Sequence, residues 1–110
     1  MAVYVDDMHT SLLGKYHTIQ VCHMLADSDD ELHAMAERIG VDRRWGQSAD
    51  KGSGSHYDLP SSHRDLAVQC GAIEITMQQA AAMNTRRRKT GCLGAPGDAV
   101  QWLLKSWQAI

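Results

Sequence analysis

The chain of 110 residues carries a formal charge of -2 with six histidines, and 44% of its residues are apolar against 22% charged. That is the length of one domain, with enough apolar side chains to bury a core without metal or disulfide staples. There is no overall basic field of the kind that drives non-specific nucleic-acid binding; the only local basic run is Arg86-Arg87-Arg88-Lys89, so nucleic acid is not an expected partner.

Phe is absent, which leaves Trp, Met and aliphatic side chains to fill the core. Cys22, Cys70 and Cys92 lack CxxC spacing and are odd in number, which argues against a disulfide framework or a zinc ribbon, and Cys22 and Cys70 read as small buried thiols. No apolar stretch approaches the roughly 20 residues that span a bilayer. Asp6 and Asp7 stand where a leader would carry its charged and apolar regions, and the expected location is the cytoplasm.

Residues 2–6 alternate Val3 and Val5 with Tyr4 and read as a short strand stopped by Asp6-Asp7. Residues 8–15 read as a loop and 16–24 as a second strand. Ser28 and Glu31 have capping-box spacing, and Leu32, Met35, Ala36 and Ile39 fall on one helical stripe closed by Gly40, which predicts a helix over 28–39. Residues 41–45 suggest a weak third strand, and the Gly- and Ser-rich 47–55 a loop. A second helix is expected over 61–70 with His63, Leu66, Ala67 and Cys70 as its stripe, then a buried strand over 72–75. Thr76 and Gln79 repeat the capping box ahead of a helix over 77–88. A linker follows at 91–97, and Asp98 caps a final helix with Val100, Leu103, Leu104 and Trp107 on its apolar stripe. The pattern is α/β: a small single-domain sheet with helices packed on it, a core over 1–89, and a linker with a C-terminal amphipathic helix over 90–110.

The polar residues cluster suggestively. His56-Tyr57-Asp58 combines an imidazole that titrates near neutrality, a phenol and a carboxylate just ahead of the 61–70 helix, whose free N–H groups favour anions. His23, His56 and Asp58 are the candidate catalytic groups. Tyr57, Arg64, Arg43 and Trp45 are candidate ligand-binding groups: Arg64 as an anion clamp in the first helical turn, and Arg43-Arg44-Trp45 as guanidinium groups beside an indole. Asp6 and Asp7 at a strand end, with Asp27, are candidate ligands for a divalent metal ion. Each has a structural alternative: turn chemistry for Asp6-Asp7, a core role for His23, a cap for Asp58, a core aromatic for Tyr57. The rule that open α/β sheets bind ligands beyond the carboxyl ends of their strands puts Asp6, Asp7 and His23 on one rim, joined by the His56 segment if its strand runs parallel.

The segments VYVDDM, CHMLADSDDELHAMAERIG and HYDLPSSHRDLAVQCGAIEI together resemble the domain of unknown function family numbered 4031, small proteins of bacteria and their viruses. The resemblance spans residues 2–76 and falls on Asp6, Asp7, His23, Asp27, Glu31, Leu32, His33, Trp45, His56, Tyr57, Asp58 and Arg64. Pro60 departs from it, standing where the family pattern has a Thr. The family has no settled activity, so the resemblance supports the choice of site and implies no mechanism. Two functions remain open: a small metal-assisted hydrolase of a phosphorylated or nucleotide-like substrate, or a protein that sequesters or senses such an anion without turning it over. Trp102 lies off the apolar stripe of the last helix, which suggests a homodimer that buries Trp102 or Trp107.

Overall fold

Cys22, Met24 and Ala26 alternate with His23 and Leu25 along the longest strand of the chain. All but His23 are buried, so this strand must be covered on both faces. The computed structural model describes residues 2–11, 15–16, 19–47 and 55–108. Among them the elements are β1 (Val3–Val5), β2 (Lys15–Tyr16), β3 (Ile19–Ala26), α1 (Asp29–Arg38), β4 (Gly46–Gln47), β5 (His56–Pro60), α2 (Ser61–Gln69), β6 (Ile73–Glu74), α3 (Met77–Thr90) and α4 (Pro96–Gln108). Single 3-10 turns lie at Met8–Thr10 and Arg43–Trp45. The sheet order is β4-β5-β3-β1-β6, with β2 paired to the outer end of β3. Among the described residues only the β1–β6 pairing is parallel.

The result is an α/β domain with helices on both faces of a mixed sheet. On one face Val5, Cys22, Met24, Ala26, Tyr57 and Leu59 pack against Leu32, Met35 and Ala36 of α1 and Ala67 of α2. On the other, Tyr4 and Leu25 meet Ala80 and Met83 of α3 and Ala99 of α4. Each fully buried Leu or Met contributes about 1.5–3 kcal/mol from leaving water. Among the described residues no helix is long and apolar enough to cross a membrane.

The helix starts follow the sequence closely. Ser28 accepts from the Glu31 amide, although the Glu31 carboxylate answers to the Ser28 hydroxyl at 3.0 Å rather than to its backbone. Thr76 and Gln79 form the full reciprocal capping box, and Gly91 at φ 87° closes α3 in the left-handed region.

Four expectations are corrected. Residues 43–45 form a 3-10 turn, because the Asp42 side chain accepts from the Arg44 amide, and only Gly46–Gln47 pairs as a strand. In α2 the buried face carries Arg64 and Ala67 while Leu66 is 43% exposed, since Arg64 inserts its stem and bonds its head group inside. β6 is a sheet edge with both residues exposed; the buried groups are its flanks Ala72 and Ile75. α4 begins at Pro96, whose missing N–H suits a first turn, and Asp98 lies within that turn. In α4, Val100 and Leu103 pack against the core, Leu104 is exposed, and Trp102 is half-buried with the Arg86 guanidinium 5.7 Å from its ring centre. The Trp107 side chain and most of the expected 47–55 loop lie outside the described residues.

Candidate metal centre

β5 runs antiparallel to β3 in a register that sets His23 directly opposite Asp58 and Met24 opposite Tyr57. Side chains alternate faces with a period of two, so His56 and Asp58 share the face of His23 while Tyr57 turns to the other. β1 adds a fourth member. The Asp6 amide donates to the His23 carbonyl just beyond the Val5–Met24 pair, which brings the Asp6 carboxylate onto the same face. Residues more than fifty apart in sequence thus meet on one patch of sheet beneath α3.

His23 Nε2 lies 3.8 Å and His56 Nε2 3.6 Å from Asp58 Oδ1. The three candidate donor atoms are all within 4.8 Å of one another. The two imidazole rings stand 5.2 Å apart and nearly perpendicular. A tetrahedral ion with bonds of about 2.0–2.1 Å separates its ligand atoms by about 3.4 Å. Closing Asp58 onto each imidazole therefore requires shifts of about 0.2–0.4 Å, and the two imidazole donors, within 4.8 Å of each other, must close by up to about 1.4 Å.

Behind this trio Asp6 is 0% exposed. Its Oδ1 accepts from the His23 amide at 2.8 Å and the Met8 amide at 3.2 Å, and its Oδ2 lies 2.8 Å from His23 Nδ1. An ionised carboxylate only accepts, so His23 Nδ1 donates and the Nε2 lone pair is left to face His56 and Asp58. This carboxylate–imidazole arrangement is the usual outer support of a metal-bound histidine. Burial alone pushes the Asp6 carboxyl up, but the hydrogen bonds from the His23 ring and the His23 and Met8 amides, with the imidazolium charge, hold it below the usual range. The Asp6 hydrogen bond raises the His23 pKa against the opposing effect of burial, and the Asp6 and Asp58 charges add to it.

His23 and His56 open onto a cavity of about 300 Å³ whose other wall is α3, through Met77, Ala80, Ala81, Asn84, Thr85 and Arg88. Those positions are one face of a helix read at intervals of three and four. The residues 3–87 match the profile of a family described as a protein of unknown function. The chain belongs to that family, DUF4031. No curated protein and no solved structure gave a significant match. The DUF4031 region contains the whole His23, His56, Asp58 and Asp6 cluster and the α3 wall as far as Thr85.

The other residues singled out in the sequence do not join the His23, His56 and Asp58 trio as donors. Asp6 supports it rather than facing it as a ligand. Asp7 accepts from the Met77 amide at 2.7 Å and holds the first turn of α3. Asp27, at the far end of β3, accepts from the Ala2 amide and the Tyr4 hydroxyl. Arg64 is buried and turned inward: Nε donates to the Asp6 carbonyl at 2.8 Å and Nη1 to Glu74 at 3.0 Å. It braces the end of β1 from the α2 side and is no clamp on the cavity. Tyr57 faces α1, where its hydroxyl lies 2.6 Å from His33 Nδ1, and with Arg43 it lines a separate cavity of about 460 Å³ beside Glu37 and Asp42. Trp45 is 57% exposed, in the Arg43–Trp45 turn. Cys22 is a buried thiol, pushed up to about 12 chiefly by burial.

The α3 wall was not foreseen. Its signal was available, because Asn84, Thr85 and Arg88 follow Met77, Ala80 and Ala81 along one helical face. Arg87, beside that wall, donates to the Ser55 carbonyl and to Asn84 Oδ1, each at 2.9 Å, and to the Ala26 carbonyl at 3.4 Å. It ties α3 to the end of β3 and the start of β5.

Proposed function

We propose that His23, His56 and Asp58 bind one divalent transition-metal ion and that the protein is a small metal-assisted hydrolase of a phosphorylated, nucleotide-like molecule. The observation that carries this reading is the trio of donor atoms within 4.8 Å, with the buried Asp6 carboxylate setting the His23 tautomer from behind. Two imidazoles and one carboxylate suit zinc and its first-row neighbours better than magnesium or calcium, which prefer all-oxygen sets. Three protein ligands leave a coordination position for water, as in catalytic rather than structural sites.

Held by His23, His56 and Asp58, such an ion would activate a water and offset negative charge on a phosphoryl oxygen. In the overall step the water oxygen forms a bond to phosphorus, the bond from phosphorus to the ester oxygen breaks, and the departing oxygen takes up the water's proton. The Arg88 side chain on the cavity wall favours an anionic substrate over a neutral one.

Titration calorimetry of the metal-free chain with Zn²⁺, Mn²⁺, Fe²⁺ and Mg²⁺ tests the centre, followed by phosphate release from a panel of nucleotides and simple phosphomonoesters. One ion per chain is expected, lost in His23→Ala and Asp58→Ala. Failure of every ion to bind at 100 µM would end the proposal. Stoichiometric metal and nucleotide binding without turnover would replace it with sequestration or sensing of the anion.

A further inference from the structure

Resting on the proposed metal centre for the position of the reacting group, we infer that the cavity-facing stripe of α3 selects a phosphomonoester that carries an apolar moiety. Asn84 and Arg88 receive its phosphate oxygens, and Met77, Ala80 and Ala81 receive the moiety. The stripe is divided along its length. Met77, Ala80 and Ala81 form an apolar strip in the first half of α3, while Asn84, Thr85 and Arg88 form a polar one in the second.

Asn84 has a defined orientation. Guanidinium groups only donate, so the amide atom that meets Arg87 Nη2 at 2.9 Å is the carbonyl oxygen, and the amide nitrogen is the group left for the cavity that Asn84 lines. Thr85 spends its hydroxyl proton on the Ala81 carbonyl at 3.0 Å and lies 3.4 Å from Arg88 Nη2. The second half of the stripe therefore carries the Asn84 amide N–H groups and the Arg88 guanidinium, which donates to Thr85 through Nη2, and both groups only donate. A ligand fragment seated there must be rich in acceptors and gains from negative charge, which describes a phosphate better than an amide or a sugar hydroxyl. Arg87 acts as a positioning residue: it fixes the Asn84 amide and anchors the helix to both strands that carry the imidazoles.

The test uses the full chain, metal-free and zinc-loaded, with inorganic phosphate and adenosine 5′-monophosphate as calorimetric probes. Asn84→Asp replaces the inward donor with an acceptor of like charge, and Arg88→Gln removes the guanidinium. Each is expected to weaken phosphate binding about 10- to 100-fold, the worth of a charge-assisted hydrogen bond, while zinc affinity stays within about threefold of native. Native protein is expected to bind the nucleotide at least fivefold tighter than phosphate, and Ala81→Asp to remove that advantage. Native phosphate affinity in both variants, no phosphate binding by native protein at 10 mM, or parallel losses of zinc and phosphate would each overturn the inference. Equal affinity for nucleotide and phosphate would overturn its apolar half. Phosphate binding that depends on Asn84 and Arg88 in a chain that takes up no metal would uphold the stripe and sink only the metal centre.

Discussion

Replacing Asp6 by Asn keeps the shape of a side chain that is 0% exposed while removing its charge, and the consequences can be worked through atom by atom. The Asn carbonyl can still accept from the His23 and Met8 amides in place of Oδ1. Its amide nitrogen then stands where Oδ2 stood, 2.8 Å from His23 Nδ1, and it donates where Oδ2 accepted. His23 must accept at Nδ1 and carry its proton on Nε2, the atom that faces Asp58 and His56. A charge-assisted hydrogen bond of about 1.5–3 kcal/mol becomes a neutral one of about 0.5–1.5, so the fold loses about 1–2 kcal/mol. For a chain of 110 residues, about 2.1 cal/mol/K per residue converts that into a fall in Tm of about 4–8 °C. The effect on zinc is larger in proportion: loss of the outer support is expected to weaken binding about 10- to 100-fold. Thermal melts and zinc calorimetry on the folded variant read both, and nitrogen NMR of the imidazole reads the tautomer directly. Zinc affinity within threefold of native in folded Asp6→Asn protein would refute the argument, as would a proton retained on Nδ1.

Tyr57→Phe should cost about 1–2 kcal/mol by stranding His33 Nδ1, yet leave zinc affinity unchanged because Tyr57 faces α1; a tenfold loss of zinc affinity in calorimetry would contradict the strand alternation. Arg64→Met should lower stability by about 2–4 kcal/mol in urea unfolding, since it leaves the Asp6 carbonyl and Glu74 without their donor, and any folded protein should bind phosphate as native does. In metal-free protein the depressed Asp6 pKa contributes stability that is present above its ordinary 3.8 and lost as pH falls through the lower folded value. The raised His23 pKa contributes stability that is present below 6.5 and lost as pH rises through the higher folded value. Urea midpoints should therefore be highest between about 3.8 and 6.5 and decline on both sides. Asp6→Asn should flatten both flanks, and a native profile that stays level from pH 6 to 9 would show the pairing of Asp6 with His23 to be energetically idle.

Local chemistry in the sequence made the helices legible. Ser28, Thr76 and Gln79 act on neighbours three residues away, and the Leu32, Met35 and Ala36 stripe needs only a helical period to be read. The site was legible in membership and not in arrangement. Asp6, His23, His56 and Asp58 stand out as polar groups beside apolar strands, but whether they meet depends on the β3–β5 register, which pairs His23 with Asp58, thirty-five positions further on. The expected route to a shared site was a parallel strand and a rim. The observed route is an antiparallel strand and a sheet face. Arg64 misled because a guanidinium near a helix start looks the same in sequence whether it reaches into a cavity or inward to a carbonyl. Tyr57 misled because adjacency in sequence means opposite faces on a strand. The resemblance to the family, read over residues 2–76, agrees with a match that runs over 3–87, and it identified no role for any residue.

The pairing of His23 with Asp58 also limits how this protein can change over evolutionary time. Met24 and Tyr57 are the next pair along the same two strands, and they belong to the α1 side of the core. Gain or loss of a single residue at the start of β5 would exchange its faces, carrying His56 and Asp58 among Leu32, Met35 and Ala36 and turning Tyr57 and Leu59 toward α3. Such a change strikes the polar cluster and the core together, so neither can drift by insertion or deletion while the other is preserved. Change in these two strands is confined to substitution, whereas α3, which faces the cluster from outside the ladder, can vary its wall one residue at a time. A lineage could therefore acquire a new ligand preference through α3 and keep the imidazole and carboxylate pairings intact.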